Sequence, residues 1–225
     1  MKYILLLIFF TANIFFANGQ DTIQLGNGRV PPMIWPGTKS PAKARRSVIG
    51  IDSMKRISGK GYYVNDTLKG PWTLYSYGVS DTVVSTGSFL NGKESGVWTS
   101  KIKKEVFKTT QYLDKDKSNV ILYKNGAVLA EQHYIGKNER TGTWITYYHG
   151  KNSGKFLQGN FNNNSLEGKL TTWYPDGTLQ SERMYNKGIE ISSTCYSDKG
   201  TVSPECAKLN CEKNFECWVS PEVKK

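Results

Sequence analysis

The sequence predicts an all-β protein. Its expected form is an elongated antiparallel meander of β-hairpin repeats, a single twisted sheet of about five repeats, with a disulfide-stapled C-terminal tail. Three observations carry this. Aromatic residues reach 12 % of the 225-residue chain beside 22 glycines, which pairs strand-forming rings with turn-forming residues. Two sequence registers recur together with a period of about 24 residues. All four cysteines lie beyond residue 194, behind the last repeat. Apolar residues make up only 38 % and there are two histidines, so a large layered enzyme core and most metal or nucleophile chemistry are disfavoured at the outset.

Residues 1–19 read as a signal peptide. Met1-Lys2 is a short positive start, Tyr3 to Phe16 is a nearly unbroken apolar run, and Ala17-Asn18-Gly19 places small residues ahead of a cleavage after Gly19. The run is short for a spanning helix of ~20 residues, so no transmembrane segment is expected after cleavage. The mature chain then begins at Gln20 and is periplasmic, cell-surface or secreted. Residues 20–60 follow as a basic, Pro-rich flexible leader. Eight Lys and Arg face only Asp21 and Asp52 there, with Pro31, Pro32, Pro36 and Pro41 and no sustained periodicity before Val48. Residues 39–60 hold most of this charge and offer a contact for an anionic surface. Nucleic acid is not an expected partner, because no basic–aromatic groove motif accompanies the charge.

Residues 61–200 hold the repeats. One register is a turn followed by Gly-x-Trp or its equivalent: Gly70-Pro71-Trp72, Gly96-Val97-Trp98, Gly142-Thr143-Trp144 and Gly168-Lys169-Leu170, with a degenerate copy at Asn119-Val120. The other is an aromatic about nine residues earlier, at Tyr63, Phe89, Tyr112, Tyr134, Phe161 and Tyr185. Segments such as Trp144-Ile145-Thr146-Tyr147-Tyr148 are β-branched and aromatic and favour an extended strand. Asn91-Gly92, Asn125-Gly126, Tyr174-Pro175-Asp176-Gly177 and Asn186-Lys187-Gly188 supply the positive-φ positions of tight reversals. One repeat is therefore one hairpin, and successive hairpins pair edge to edge because a lone hairpin is marginal in water. Trp72 and Tyr75, like Trp144 and Tyr147, are an odd number of residues apart and point to opposite faces of a strand. The rings are expected to pack across strands and hold the sheet together, since a single sheet has no second layer. The alternative is an exposed aromatic face that stacks on sugar rings or grips a peptide.

The segment Phe89-Leu90-Asn91-Gly92-Lys93-Glu94-Ser95-Gly96-Val97-Trp98 resembles the variant MORN repeats of bacterial YwqK-like proteins, as do Tyr174-Pro175-Asp176-Gly177-Thr178-Leu179 and Tyr185-Asn186-Lys187-Gly188. The resemblance covers roughly residues 61–200. It implies a MORN-like hairpin-repeat fold and, through the family's label, an antitoxin role inside the cell, whereas the N-terminal segment here implies export. Val120 and Leu170 stand where the pattern has Trp.

The tail, residues 201–225, completes the set of disulfide candidates Cys195, Cys206, Cys211 and Cys217. An even count in an exported chain implies two bridges, with three connectivities open. No Cys-x-x-Cys and no nearby His suit them to zinc. A stapled tail would cover the open edge left by the last hairpin. His133 lies mid-strand, His149 sits in a turn, and Glu94 and Glu167 fill repeat-equivalent turns instead of forming an acid/base pair. No nucleophile elbow, phosphate loop or zinc motif occurs, so no catalytic residue, cofactor or metal is expected. Four Asp-hydroxyl-apolar triplets, starting at Asp21, Asp52, Asp66 and Asp81, resemble an O-glycosylation acceptor of secreted bacterial proteins. The expected function is a non-enzymatic exported module that binds or scaffolds a protein or envelope polymer in the cell envelope. Its rivals are a carbohydrate-binding or adhesion module and an exported enzyme of unknown class.

Overall fold

The computed structural model describes residues 21–23, 46–51, 56–65, 67–150 and 154–204, with Cys206, Leu209, Cys211, Trp218, Val219 and 221–223 of the tail. The segment read as a signal peptide and most of the expected leader lie outside the described residues, as does Cys217. Among the described residues Asp114–Asp116 form a 3-10 turn, Trp218 is also in 3-10 conformation, and there is no α-helix; the rest is strand, turn and connecting segment. The chain forms two compact units, residues 1–103 and 104–225, and each is an antiparallel meander as the sequence predicts.

In the first unit β1 (Asp21–Ile23) lies parallel to β2 (Arg46–Ile51). From β2 the meander runs through β3 (Ile57–Val64), β4 (Thr67–Tyr77), β5 (Thr82–Leu90) and β6 (Lys93–Ile102). Strand pairing thus begins inside the 20–60 segment, where Val48, Ile49 and Ile51 supply β-branched residues.

The second unit runs through β7 (Glu105–Tyr112), β8 (Lys117–Lys124), β9 (Ala127–Ile135) and β10 (Glu139–Tyr147). A short strand β11 (His149–Gly150) follows, then β12 (Lys155–Asn162), β13 (Ser165–Leu166), β14 (Gly168–Trp173), β15 (Leu179–Asn186) and β16 (Ile189–Tyr196). Two-residue strands complete it, β17 (Val202–Ser203) beside β16 and β18 (Glu222–Val223) parallel to β11.

The turns explain the order. At Asn91-Gly92, Asn125-Gly126 and Lys187-Gly188 both central residues have positive φ, the reversal that matches strand twist. The turns also dock on one another. In the first unit Gly92 N–H donates to Leu68 O; in the second, Gly136, Asn164 and Gly188 donate to Asp116, Arg140 and Leu166, all at 2.8–3.1 Å.

The Gly-x-Trp register is a bulge. Lys60 pairs with Thr73 and Tyr62 with Lys69, so Gly70, Pro71 and Trp72 together oppose the single residue Gly61. The same three-against-one step sets Gly96–Trp98 against Gly87 and Gly142–Trp144 against Gln132. Gly70, Gly96 and Gly142 hold φ of 72°, 65° and 62°, which a glycine adopts without cost and which throws the following Trp inward. The degenerate copy lacks this glycine, and there Thr110 simply faces Val120 in an unbroken ladder.

Candidate functional site

The inward face of each unit is a rail of rings. In the first, Tyr63, Trp72, Phe89 and Trp98 follow one another edge to face with centroids 6.1, 5.8 and 5.1 Å apart. In the second, Trp144 stands 5.1 Å from both Tyr134 and Phe161. Each bulge breaks a ladder, and the indole N–H takes up a carbonyl of the partner strand. Trp72 donates to Tyr62 O at 3.1 Å, Trp98 to Ser88 O at 3.1 Å and Trp144 to His133 O at 3.0 Å. A Cβ added to Gly61 or Gly87 would fall 2.1 or 2.2 Å from the Trp72 or Trp98 indole, so glycine is what lets each ring lie flat on the strand. Of the sequence-predicted anchors, Trp72, Phe89, Trp98, Trp144, Phe161, Leu170 and Tyr185 are buried; Tyr63, Tyr112 and Tyr134 are half-buried.

Two copies lack the indole, at Val120 and at Leu170, and the second is completed from elsewhere in the chain. Leu170 occupies the Trp position above Gly159, and the remaining space is filled from the tail. Trp218 lies 5.6 Å from Trp144 and 5.2 Å from Phe161, and an added Cβ on Gly159 would come within 3.3 Å of its Cη2. Its N–H donates to Cys211 O at 3.1 Å, and its own carbonyl accepts from the Thr146 hydroxyl at 3.4 Å. Leu209 and Cys211 pack on the same cluster with Leu157, Leu166 and Tyr185. Cys195 is bonded to Cys206 and Cys211 is also disulfide-bonded, which selects the Cys195–Cys206 pairing from the open connectivities. The described part of the tail therefore caps the inner face, where unmet apolar demand lies beside Leu170, as well as a short stretch of the open sheet edge. β17 covers only Cys195 and Tyr196 of β16.

The opposite face is polar. In the first unit Lys60, Thr73, Thr86 and Thr99 stand in one cross-strand row, with Tyr75, Val84 and Lys101 beside it. In the second, His133 Nδ1 donates to Asn119 Oδ1 at 2.7 Å, the Thr143 hydroxyl to Asn160 Oδ1 at 2.6 Å, and the Tyr147 hydroxyl to Glu131 at 2.6 Å. Burial, then the hydrogen bond to Glu131 and its charge, push Tyr147 up to about 12; burial does the same to Tyr134 against the opposing charge of Arg140. Lys169 pairs with Glu182. Glu190 would be raised by burial alone, but hydrogen bonds from Arg183, Tyr185 and Ser193 hold its carboxyl below the usual range. His149 is not in a simple turn: it lies in β11, its N–H donates to Pro221 O at 3.1 Å, and Lys124 donates to its Nε2 at 3.1 Å. Glu167 accepts from Lys187 N–H, a turn role. Among the described residues no group of three His, Cys, Asp or Glu side chains could hold a metal ion.

No model of a known protein family matches the chain, and no curated protein matches it. Two determinants escaped the sequence reading. The glycines two residues ahead of the register aromatics, in Gly61-Tyr62-Tyr63, Gly87-Ser88-Phe89 and Gly159-Asn160-Phe161, recur visibly and mark where a ring from the next strand will lie. Trp218 follows no register, and its role shows only once Leu170 is seen to leave space.

Proposed function

We propose that the chain is a non-enzymatic, exported, MORN-like repeat module that binds or scaffolds a protein or envelope polymer in the cell envelope. The observation that carries this is the division of side chains between faces. The large rings are spent inside each unit, while a broad polar sheet face stays outward. The carboxylates of Glu131, Glu167, Glu182 and Glu190 are each engaged in a structural hydrogen bond or ion pair, which favours a binding surface over acid/base chemistry. The bulged hairpins and Asn-Gly reversals support the MORN-like reading. Bonded cysteines support an oxidising compartment, in line with the sequence of residues 1–19. Sugar stacking is supported less, because Trp72, Trp98 and Trp144 are buried, which leaves half-buried rings such as Tyr75, Tyr77, Tyr123 and Tyr147 outward.

The test is saturable retention of the full-length chain on an envelope extract, compared with a cytosolic extract of the same cells. Selective retention without turnover of envelope glycans or peptides is the expected result. Equal retention on both extracts, or turnover, would overturn the proposal.

A further inference from the structure

We propose that the outward sheet face of the first unit binds a linear anionic glycan, laid along the row Lys60, Thr73, Thr86 and Thr99. This rests on the reading of the chain as a binding module and names the surface it uses and the class of polymer it takes.

Strand register builds the row. Lys60 pairs with Thr73, Thr73 with Thr86 and Thr86 with Thr99, so the four side chains stand abreast on β3 to β6. Each step is the strand spacing of about 4.7–4.9 Å, close to the length of one sugar ring, and the row spans about 14 Å. Trp72 and Trp98 directly precede Thr73 and Thr99 and so turn to the other face. Lys60 and Thr86 are exposed, and Thr73 and Thr99 are half-buried. Among the described residues none of the three threonine hydroxyls has a hydrogen-bond partner. The matching face of the second unit differs. There Thr143 donates to Asn160, Tyr147 donates to Glu131, and Lys169 pairs with Glu182. That face is engaged by its own side chains, whereas the first unit presents three hydroxyls that can each donate and accept.

Charge selects the occupant, and the charge is local. Residues 56–103 hold six Lys and Arg against Asp66, Asp81 and Glu94, and six minus three gives +3. Alternation sets Lys60, Lys69 and Lys101 on the outward face. Lys69 opposes Tyr62, two residues beyond Lys60, and Lys101 lies two residues beyond Thr99. All three are exposed, and none makes an ion pair among the described residues. The carboxylates do not offset them there. Asp81 pairs with Lys103 at 3.0 Å, Glu94 stands opposite Phe89 on the ring face, and Asp66 lies outside the described residues. Two lysines thus flank the β3 end of the hydroxyl row and one flanks the β6 end. A polymer that carries hydroxyls between regularly repeated negative groups complements both. An acidic peptide strand is served less well, because the main chain of β4 and β5 is already paired on both sides.

Polygalacturonate, with one carboxylate per sugar, is titrated into the full-length chain by calorimetry, beside dextran, polyglutamate and phosphatidylglycerol vesicles. Polygalacturonate should bind at least tenfold tighter than each of the others, and more weakly as salt rises. Thr86→Val removes one outward hydroxyl, keeps the side-chain shape and should weaken binding at least threefold. Lys60→Gln combined with Lys101→Gln should weaken it at least tenfold, whereas Lys169→Gln in the second unit should change it less than twofold. The Thr86, Lys60 and Lys101 side chains point outward, so these variants should keep the thermal midpoint and their losses cannot come from unfolding. No binding of polygalacturonate, equal binding of any comparison ligand, undiminished binding by Thr86→Val or the double variant, or an equal loss with Lys169→Gln overturns the proposal. A loss seen only when Lys39, Lys43 and Arg45 are changed to Gln would place the contact in the leader and overturn it too. If the double variant keeps full retention on envelope extract, the binding-module reading stands and this face alone falls.

Discussion

At the residue scale two of the bulged repeats, at Trp72 and Trp98, depend on a glycine and an indole that share one space. Gly87→Ala would set a methyl 2.2 Å from the Trp98 ring, with backbone on one side and the ring's neighbours on the other. We predict a loss of roughly 1–3 kcal/mol from overpacking, seen as a lower denaturation midpoint. Trp98→Ala or Trp144→Ala should cost about 3–5 kcal/mol, because the ring fills the rail and its N–H donates to a carbonyl of the partner strand. An unchanged midpoint for these variants would make the rings surface features. The tyrosines give a pH signature. The folded values of about 12 for Tyr134 and Tyr147 lie above the usual 10.0, so the fold favours the neutral phenol. That contribution is complete below the unfolded pKa of ~10 and is lost as pH climbs towards the folded value. Ultraviolet titration should find Tyr134 and Tyr147 ionising late, with Tyr148 also raised by its burial, and stability falling between those two pH values. Glu190 has the opposite sign: its lowered value stabilises above the ordinary carboxylate range, and that stabilisation is lost as acid protonates it.

At the element scale the tail behaves as a detached piece of a repeat. Trp218→Ala should destabilise β10, β12 and β14 by roughly 3–5 kcal/mol. Leu170→Trp should restore part of that loss in the Trp218→Ala background, because it returns an indole to the position used by Trp72, Trp98 and Trp144. In the wild-type background the same change should crowd Trp218 and destabilise. Hydrogen exchange in those strands checks both, and failure of the rescue would refute the substitution of one ring by the other. Reducing Cys195–Cys206 should loosen β17 and the tail before β8 and β9, since repeats depend mainly on their neighbours. The hairpins were legible in the sequence because turn glycines and asparagines act locally, and Gly92, Gly126 and Gly188 lie at tight reversals. The alternation that separates Trp144 from Tyr147 was legible for the same reason. The three-against-one bulge was not, because it is a property of two paired strands, set against Gly61, Gly87 or Gln132 of the partner, and the Gly-x-Trp alone does not show which residue it will oppose. The placing of Trp218 was illegible in principle from periodicity, since nothing local ties it to Leu170.

At the scale of the whole molecule the proposal of export makes its own demand. Protein recovered from the envelope or medium should begin at or near Gln20, and N-terminal sequencing that finds intact Met1 on cytosolic protein would contradict it. The contact of Trp218 also imposes an order in time. Neighbouring strands of each meander meet across a turn, so they can pair almost as soon as they are made. The bond from Thr146 to the Trp218 carbonyl instead spans 72 residues. A chain emerging from a ribosome or a translocation pore can have every strand up to β16 in place and still hold an unfinished socket between Trp144 and Phe161. Its closure waits for residue 218 and is then fastened by sulfur bridges that form only where oxidants are available. The second unit thus completes its core last, once residue 218 is available to Trp144 and Phe161.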